Sequence, residues 1–324
     1  MSHLANDEPV GLVGAGTIGG GWAATYLARR RPVLVADPAP TALGRLTSYL
    51  DAVWPSVRRT LPGAPASAPL DLLRLVPAAE LGAVALVHEN VPESLEAKRE
   101  AYRSIEASVA SEVPILSSSG GLMPSDLQTG MKHPERLLVA HPQSPVYALP
   151  LVEVLAGEAT SSAVVTAALA HLRDLGKRPV LLRREVPGYL TNRLTFAMLR
   201  EAVHLLAEGV VDARGIEDAV VHGITPRFLV GGPLTSLALA GGPDGMRGAM
   251  RSFAETIEGW WSELGSPHLD EKTRALLIAA GDDALDGRPI GAVLADRDTA
   301  AVDLLALLHA DDRGEAGPHP EPGA

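Results

Sequence analysis

The 324-residue chain contains no cysteine. That excludes a disulfide framework, a thiolate metal site and a cysteine nucleophile, and it suits a reducing cytoplasm. Aromatic residues make up only 4%, so few places can cage a cation between ring faces. Basic residues number 28 against 39 acidic ones, a formal net charge of −11. A chain of that sign does not displace counterions from phosphates on a large scale, so neither nucleic acid nor a membrane is expected as partner. No apolar run approaches the roughly 20 residues that span a bilayer, and the opening MSHLANDEP lacks the apolar core of a secretion signal. The ten histidines are scattered and suggest no metal-ligand set. Hydrophobic residues are plentiful, at 46%, enough at this length for two domains with real cores.

Over the first half, short β-branched runs alternate with helical stretches. VGLVG from Val10, PVLVAD from Pro32, VALVHE from Val84, VPILSSS from Val113 and LLVAH from Leu137 read as strands. LVEVL and PVLLRRE follow, separated by a predicted helix over 161–175. This alternation predicts a mostly parallel, doubly wound sheet. From Leu190 onward only helical stretches remain, with Asp212 as an expected N-cap and Gly-Pro breaks at 232–233 and 242–243. The expected layout is an α/β domain over 1–186, an all-helical domain over 187–311 and a disordered, proline- and glycine-rich tail over 312–324.

Gly14-Ala15-Gly16-Thr17-Ile18-Gly19 lies between an apolar strand and an amphipathic helix. One glycine allows the turn, one lets a pyrophosphate approach the backbone, and one lets helix and strand pack closely, which makes the domain Rossmann-like. The helix start then offers N–H groups and partial positive charge to phosphates. The next strand ends at Asp37, 18 residues past Gly19, where a carboxylate can hold the adenosine ribose hydroxyls and repel a 2′-phosphate. The expected cofactor is NAD rather than NADP.

The stretch VAHPQSPVYALPLVEVL, from Val139, puts one ionisable group on each of two apolar strands, His141 and Glu153. If they meet, they are a general base and its orienting acid. If not, they are a surface histidine and a strand-end glutamate. Taken together, the glycine loop, HENVPESLEAKREAY, ILSSSGGLMPSDL, MKHPERLLVAHPQSPVYALPLVEV and VPGYLTNRL resemble the 3-hydroxyacyl-CoA dehydrogenase family over about residues 10–250. The likeness is nearest to its branch of L-carnitine dehydrogenase and lambda-crystallin. It implies an NAD-dependent enzyme with a dimerising helical domain and a small-molecule substrate. It also implies that His141 is the base, Glu153 its partner and Asn192 a contact of the reacting oxygen. Glu93, Lys98 and Ser118 would lie beside the cofactor, and Ser119, Gly120 and Arg227 at the substrate.

Three departures from the family pattern bear on substrate. Gly120 stands where the family usually has a hydroxyl. Either Ser118 or Ser119 compensates, the glycine makes room for a bulkier substrate, or the change is neutral. Ser144 in HPQSP replaces the usual asparagine, so support of His141 is expected to be weaker or relayed by water. After Arg227 the run PRFLVGGPLTSLALAGG has Phe228 as its single aromatic residue, which disfavours a trimethylammonium substrate such as carnitine. Arg227 either clamps a carboxylate or forms a surface salt bridge. The leading expectation is NAD-dependent oxidation or reduction at the 3-position of a small free hydroxy acid. A 3-hydroxyacyl thioester of CoA or a carrier protein is the alternative, and a crystallin-like NAD-binding protein with little catalysis is a third.

Overall fold

The computed structural model describes residues 8–229 and 231–312. The expected tail, apart from its first residue, lies outside them. The strands are β1 (Val10–Val13), β2 (Val33–Ala36), β3 (Leu73–Leu75), β4 (Val87–Glu89), β5 (Ile115–Ser117), β6 (Leu137–Pro142), β7 (Leu151–Ala156) and β8 (Arg178–Leu182). With them come the helices α1 (Thr17–Leu27), α2 (Ala42–Thr60), α3 (Leu95–Ser108), α4 (Pro124–Gln128) and α5 (Ser162–Asp174). Then follow α6 (Thr191–Ala207), α7 (Ala213–Asp218), α8 (Pro233–Ala240), α9 (Gly245–Glu263), α10 (Glu271–Leu285) and α11 (Ile290–Asp312). Asp212 caps α7 as expected, its carboxylate accepting from Gly215 N at 2.8 Å.

The sheet order is β3-β2-β1-β4-β5-β6-β7-β8. Pairing is parallel from β3 through β6, antiparallel between β6 and β7, and parallel again between β7 and β8. The short β3, Leu73-Arg74-Leu75, has no counterpart in the sequence reading, because unlike β4 and β5 it is not part of a longer apolar run.

Because successive strand residues point to opposite faces, the sheet sorts its side chains into two cores. Val10, Leu12, Val33, Val35, Leu86, Leu116, Leu138, Ala140, Val152 and Val154 join one, with Trp22 and Tyr26 of α1. Val13, Val87, Ile115, Leu137, Val139 and Leu155 join the other, with Tyr102 of α3 and Leu127 of α4. By the same parity Glu89, Ser117, His141 and Glu153 all project on the second face.

The chain divides into two compact units, one running to Thr191 and resuming at Arg297, the other Asn192–Asp296. The last helix therefore differs from the expected single block over 187–311. From Arg297 it belongs with the sheet, where Val302 is fully buried in the first core and Leu305 packs against it. Arg59 of α2 pairs with Asp303. A helical stretch read from sequence does not say which elements it will pack against.

In the first core the Tyr26 hydroxyl lies 2.8 Å from Nε2 of both His88 and His171, and Trp22 stacks on His88 at 4.1 Å. Burial pushes both imidazoles down, helped by Arg31: His88 falls well below its ordinary value, and His171 falls to about 3 from 6.5. The unfolded chain therefore binds two protons below pH 6.5 that the folded chain refuses. Stability is full above that pH and falls as pH drops from 6.5 toward 3, by about 1.4 kcal/mol per pH unit for each histidine. Urea unfolding at pH 7, 6 and 5 should show this slope, and His171→Gln should halve it. A stability independent of pH across that range contradicts the assignment.

Candidate active site

His141 and Glu153 are direct partners across the antiparallel β6–β7 pair. Residues opposite each other in such a pair share a face with their Cβ atoms about 5 Å apart. Accordingly His141 Nδ1 lies 2.8 Å from Glu153 Oε2. Glu153 is fully buried, and His141 keeps 15% of its side chain exposed. A buried carboxylate needs donors, and Glu153 has four. Oε1 accepts from Leu190 N at 2.7 Å and Thr191 N at 2.8 Å, while Oε2 accepts from the Thr191 hydroxyl at 2.6 Å and from His141. Burial alone would raise its pKa. Bonds from His141, the Thr191 hydroxyl and the two amides outweigh that and hold the carboxyl at about 2. An ionised carboxylate only accepts, so Nδ1 carries the imidazole proton and neutral His141 presents a bare Nε2 lone pair.

The turn that delivers those amides is unusual. Gly188 and Tyr189 both have positive φ, 76° and 52°. For tyrosine this conformation costs on the order of 1–2 kcal/mol. Tyr189 is fully buried, its ring stands edge-on to His141 with centroids 5.6 Å apart, and its hydroxyl donates to Leu122 O. One residue thus ties the base, the turn holding Glu153 and the loop after β5 together. Gln143 adds a bond from Nε2 to Thr191 Oγ1 at 3.2 Å. Ser144 is exposed, and the orientation of His141 comes from Glu153.

The loop after β5 is held by Glu93. Its Oε1 accepts from Ser119 Oγ at 2.6 Å and from the amides of Gly120, Gly121 and Leu122 at 3.1, 3.0 and 3.3 Å. Burial opposes ionisation here, but the Ser119 hydroxyl, Lys98 and the loop amides hold the Glu93 carboxyl below its usual range. Lys98 was expected at the cofactor. Its ammonium is instead buried, 2.9 Å from Glu89 Oε1, 3.2 Å from Val91 O and 3.5 Å from Glu93 Oε2. It reaches the site only through Glu93. Glu89, fully buried, also accepts from Tyr102 at 2.8 Å, Ser117 at 2.6 Å and Val91 N at 2.8 Å.

The glycine loop has the shape a dinucleotide requires. Gly14 has φ 96°, and a Cβ at Gly19 would lie 2.0 Å from Gly14 O, so strand and helix meet only if both stay glycine. A Cβ at Gly16 would meet nothing within 4 Å, which leaves its backbone open to a phosphate. The first turn of α1 has no side-chain cap, so its N–H groups are available; Thr17 is exposed and Ile18 half-buried there. Asp37 directly follows β2 and accepts from Ala15 N at 2.8 Å and Ala39 N at 2.9 Å, which holds the carboxylate against the glycine loop. These residues fit NAD.

Two family models match the chain, the NAD-binding domain of 3-hydroxyacyl-CoA dehydrogenase over 9–186 and the C-terminal domain over 188–273. The chain belongs to the 3-hydroxyacyl-CoA dehydrogenase family. An L-carnitine dehydrogenase of Streptomyces coelicolor is 38% identical over 307 residues, 94% of this chain and 96% of that protein. Among solved structures, a 5-formyl-3-hydroxy-2-methylpyridine 4-carboxylic acid 5-dehydrogenase, an NAD+-dependent dismutase, matches with TM-score 0.80 at 25% identity, covering 94% of this chain and 99% of that one. A (S)-3-hydroxybutyryl-CoA dehydrogenase of Ralstonia eutropha matches with TM-score 0.60 at 27% identity, covering 78% and 88%. This dehydrogenase is thus an NAD-dependent oxidoreductase of that family.

Neither neighbouring serine is placed to supply the hydroxyl that Gly120 lacks. Ser118 Oγ donates to Asn90 Oδ1 at 2.8 Å and accepts from Trp22 Nε1 at 3.1 Å. Ser119 Oγ is committed to Glu93 and accepts from Leu122 N at 3.1 Å. Asn192 follows Thr191 directly and opens the second unit. Arg227 lies in that unit, where with Phe228, Ser236 and Leu237 it lines a cleft of about 300 Å³. Sequence reasoning missed Thr191, Tyr189, Gln143 and Glu89. Glu89 alone left a signal, an acid ending the apolar run VALVHE.

Thr191→Val removes one donor from Glu153 while keeping the shape of the side chain. It should lower kcat about tenfold and weaken the acid hold on Glu153, which a shifted pH–rate profile would register. An unchanged profile and kcat would show the hydroxyl to be idle.

Proposed function

We propose that this dehydrogenase oxidises the 3-hydroxyl of a small free hydroxy acid, or reduces the corresponding ketone, with His141 as general base. The observation that carries this is the 2.8 Å bond between His141 Nδ1 and a buried, ionised Glu153. It leaves Nε2 as the acceptor of the hydroxyl proton and provides a fixed negative charge to stabilise the imidazolium that results. Glu153 does not take that proton itself, because its carboxyl stays ionised down to about pH 2. NAD, when bound, supplies the acceptor for the hydride leaving the carbinol carbon. The glycine loop would receive its pyrophosphate, Asp37 its ribose hydroxyls, and Ser118 and Glu93 would line its nicotinamide end. Asn192 would hydrogen-bond the reacting oxygen and Arg227 would pair the substrate carboxylate.

The free acid is favoured because the relative at 38% identity, matched along 94% of this chain, is named for one. Carnitine itself ranks behind acids without a quaternary nitrogen, since the Arg227 cleft offers Phe228 as its single aromatic ring. A thioester is the second reading, favoured by the likeness to the Ralstonia enzyme. The enzyme would work in the cytoplasm, and no helix among the described residues is long and apolar enough to cross a membrane.

A panel of 3-hydroxy acids and their CoA thioesters, mixed with NAD and followed by absorbance of the reduced cofactor, tests the reading. Turnover of a free acid is expected, and His141→Gln should lower kcat about 10²–10⁴-fold without changing NAD affinity. Thioester turnover alone would replace the first reading with the second. NAD binding without turnover, indifferent to His141→Gln, would leave only the crystallin-like one.

We further propose a homodimer formed through the helical unit. Trp260 and Trp261 on α9 are 66% and 68% exposed, and Leu194 and Phe196 on α6 are more than half exposed; apolar surface of that extent marks an interface. Light scattering on the purified protein should give twice the chain mass, and Trp260→Asp with Trp261→Asp should give the monomer. A wild-type monomer would rule the dimer out.

A further inference from the structure

Two neighbours dictate the hydrogen-bond polarity of the Ser118 hydroxyl. Trp22 Nε1 lies 3.1 Å from Ser118 Oγ. An indole N–H only donates, so it occupies one of the oxygen's two lone pairs. The indole is held in place, fully buried, stacked on His88 at 4.1 Å and with the Lys177 ammonium 5.7 Å from its ring centre. On its other side Ser118 Oγ lies 2.8 Å from Asn90 Oδ1. The Asn90 amide is fixed in that sense because its Nδ2 donates to His88 O at 3.1 Å, and a backbone carbonyl only accepts. Its oxygen therefore faces Ser118, and the serine proton goes to that oxygen. One lone pair remains on Ser118, and a third group that meets it has to be a donor.

The place of Ser118 in the fold says what that group belongs to. Asn90 directly follows β4 and Ser118 directly follows β5, beside the β1–β4 pair at which the strand order reverses. An open parallel sheet binds its ligand in the crevice at that point. Asn90 abuts the glycine loop: a Cβ at Gly14 would lie 2.8 Å from Asn90 O, and one at Gly19 3.6 Å from its Nδ2. Two residues beyond Ser118 the chain abuts the base, since a Cβ at Gly120 would lie 3.2 Å from His141 Nε2. A dinucleotide with its pyrophosphate on the glycine loop and its redox ring beside His141 passes between those two points. The hydrogen-bonding substituent of that ring is a carboxamide, with one acceptor end and one donor end. Glu93, whose carboxyl is held ionised, offers this end of the cofactor a second acceptor and no donor.

We propose that Ser118 accepts a hydrogen bond from the amino group of the nicotinamide carboxamide, with Asn90 as the positioning residue that takes the serine proton and makes it an acceptor. This rests on reading the glycine loop and His141 as the two ends of the cofactor's path, and not on which hydroxy compound is oxidised.

The test is binding, measured by titration calorimetry on the whole protein without a hydroxy substrate. Four dinucleotides are compared: NAD, its thionicotinamide analogue, which keeps the amino group, its 3-acetylpyridine analogue, which has a methyl group there, and its nicotinic acid analogue, which has a carboxylate. NAD and the thionicotinamide analogue should bind alike, and the other two about fivefold or more weakly, the scale of one unmade hydrogen bond. Ser118→Ala should bring the acetylpyridine analogue to within about twofold of NAD, because no acceptor is left unmet. Asn90→Ala frees the serine proton and should raise the affinity for the nicotinic acid analogue relative to NAD, which loss of a merely structural contact would not do. Tight binding of the acetylpyridine or nicotinic acid analogue by the wild type overturns the proposal, as does an analogue ratio that Ser118→Ala leaves in place. If a variant fails to fold, the wild-type series decides alone. The expected series without turnover of any hydroxy compound upholds this proposal and overturns the proposed activity. Failure to bind NAD overturns both.

Discussion

The register between β6 and β7 is the constraint on which everything near His141 depends. Side chains on a strand alternate between faces, so a slip of one residue would send Glu153 into the first core among Val152 and Val154, and leave His141 unpartnered. The opposite sign of that error is also costly, because Glu153 would then be a charge in an apolar core with no donor. The apolar residues on both sides of Glu153 and the four donors that converge on it therefore specify the same alignment. The alignment that pairs His141 with Glu153 is thus also the one that keeps Glu153 out of the apolar core.

Two buried carboxylates organise the site by the same rule. Glu89 at the end of β4 and Glu153 within β7 are each fully buried and each accept four hydrogen bonds. They differ in what they hold. Glu153 fixes an imidazole that must exchange a proton, and its other donors are two backbone amides and a hydroxyl. Glu89 fixes the Lys98 ammonium beneath Glu93. The first hub makes a base and the second makes a scaffold. A buried pair of the second kind contributes little net stability, so its presence is better understood as the means of placing Glu93.

Much of this was legible in the residues. The alternation of strands and helices in the first half, the glycine loop and Asp37 are carried by short contiguous segments. His141 and Glu153 could be seen as isolated charges on apolar strands, but the proline-rich link between them does not dictate a register, and only the likeness to a family proposed that they meet. Lys98 illustrates the limit. Its spacing on α3 says that it points toward the sheet, yet whether it faces solvent, cofactor or a buried acid depends on Glu89, contributed by a different strand. Thr191 and Tyr189 were invisible for a further reason: their side chains act only because a turn with positive φ brings them, together with its backbone N–H groups, to partners on distant elements. The second half of α11 was grouped with the helical block because its sequence does not say which elements it packs against.

The loop Ser117–Leu122 shows why the scaffold is needed. A run of three serines and two glycines has little intrinsic preference and much conformational entropy to lose. Left alone it would sample many conformations beside the imidazole. A single carboxylate oxygen collects the loop's amides and its hydroxyl, and Tyr189 secures the far end from the turn that also binds Glu153. The ordering entropy is met when the chain folds rather than when substrate arrives, which is what preorganisation means in physical terms. It follows that the position of the loop beside His141 is set when the protein folds.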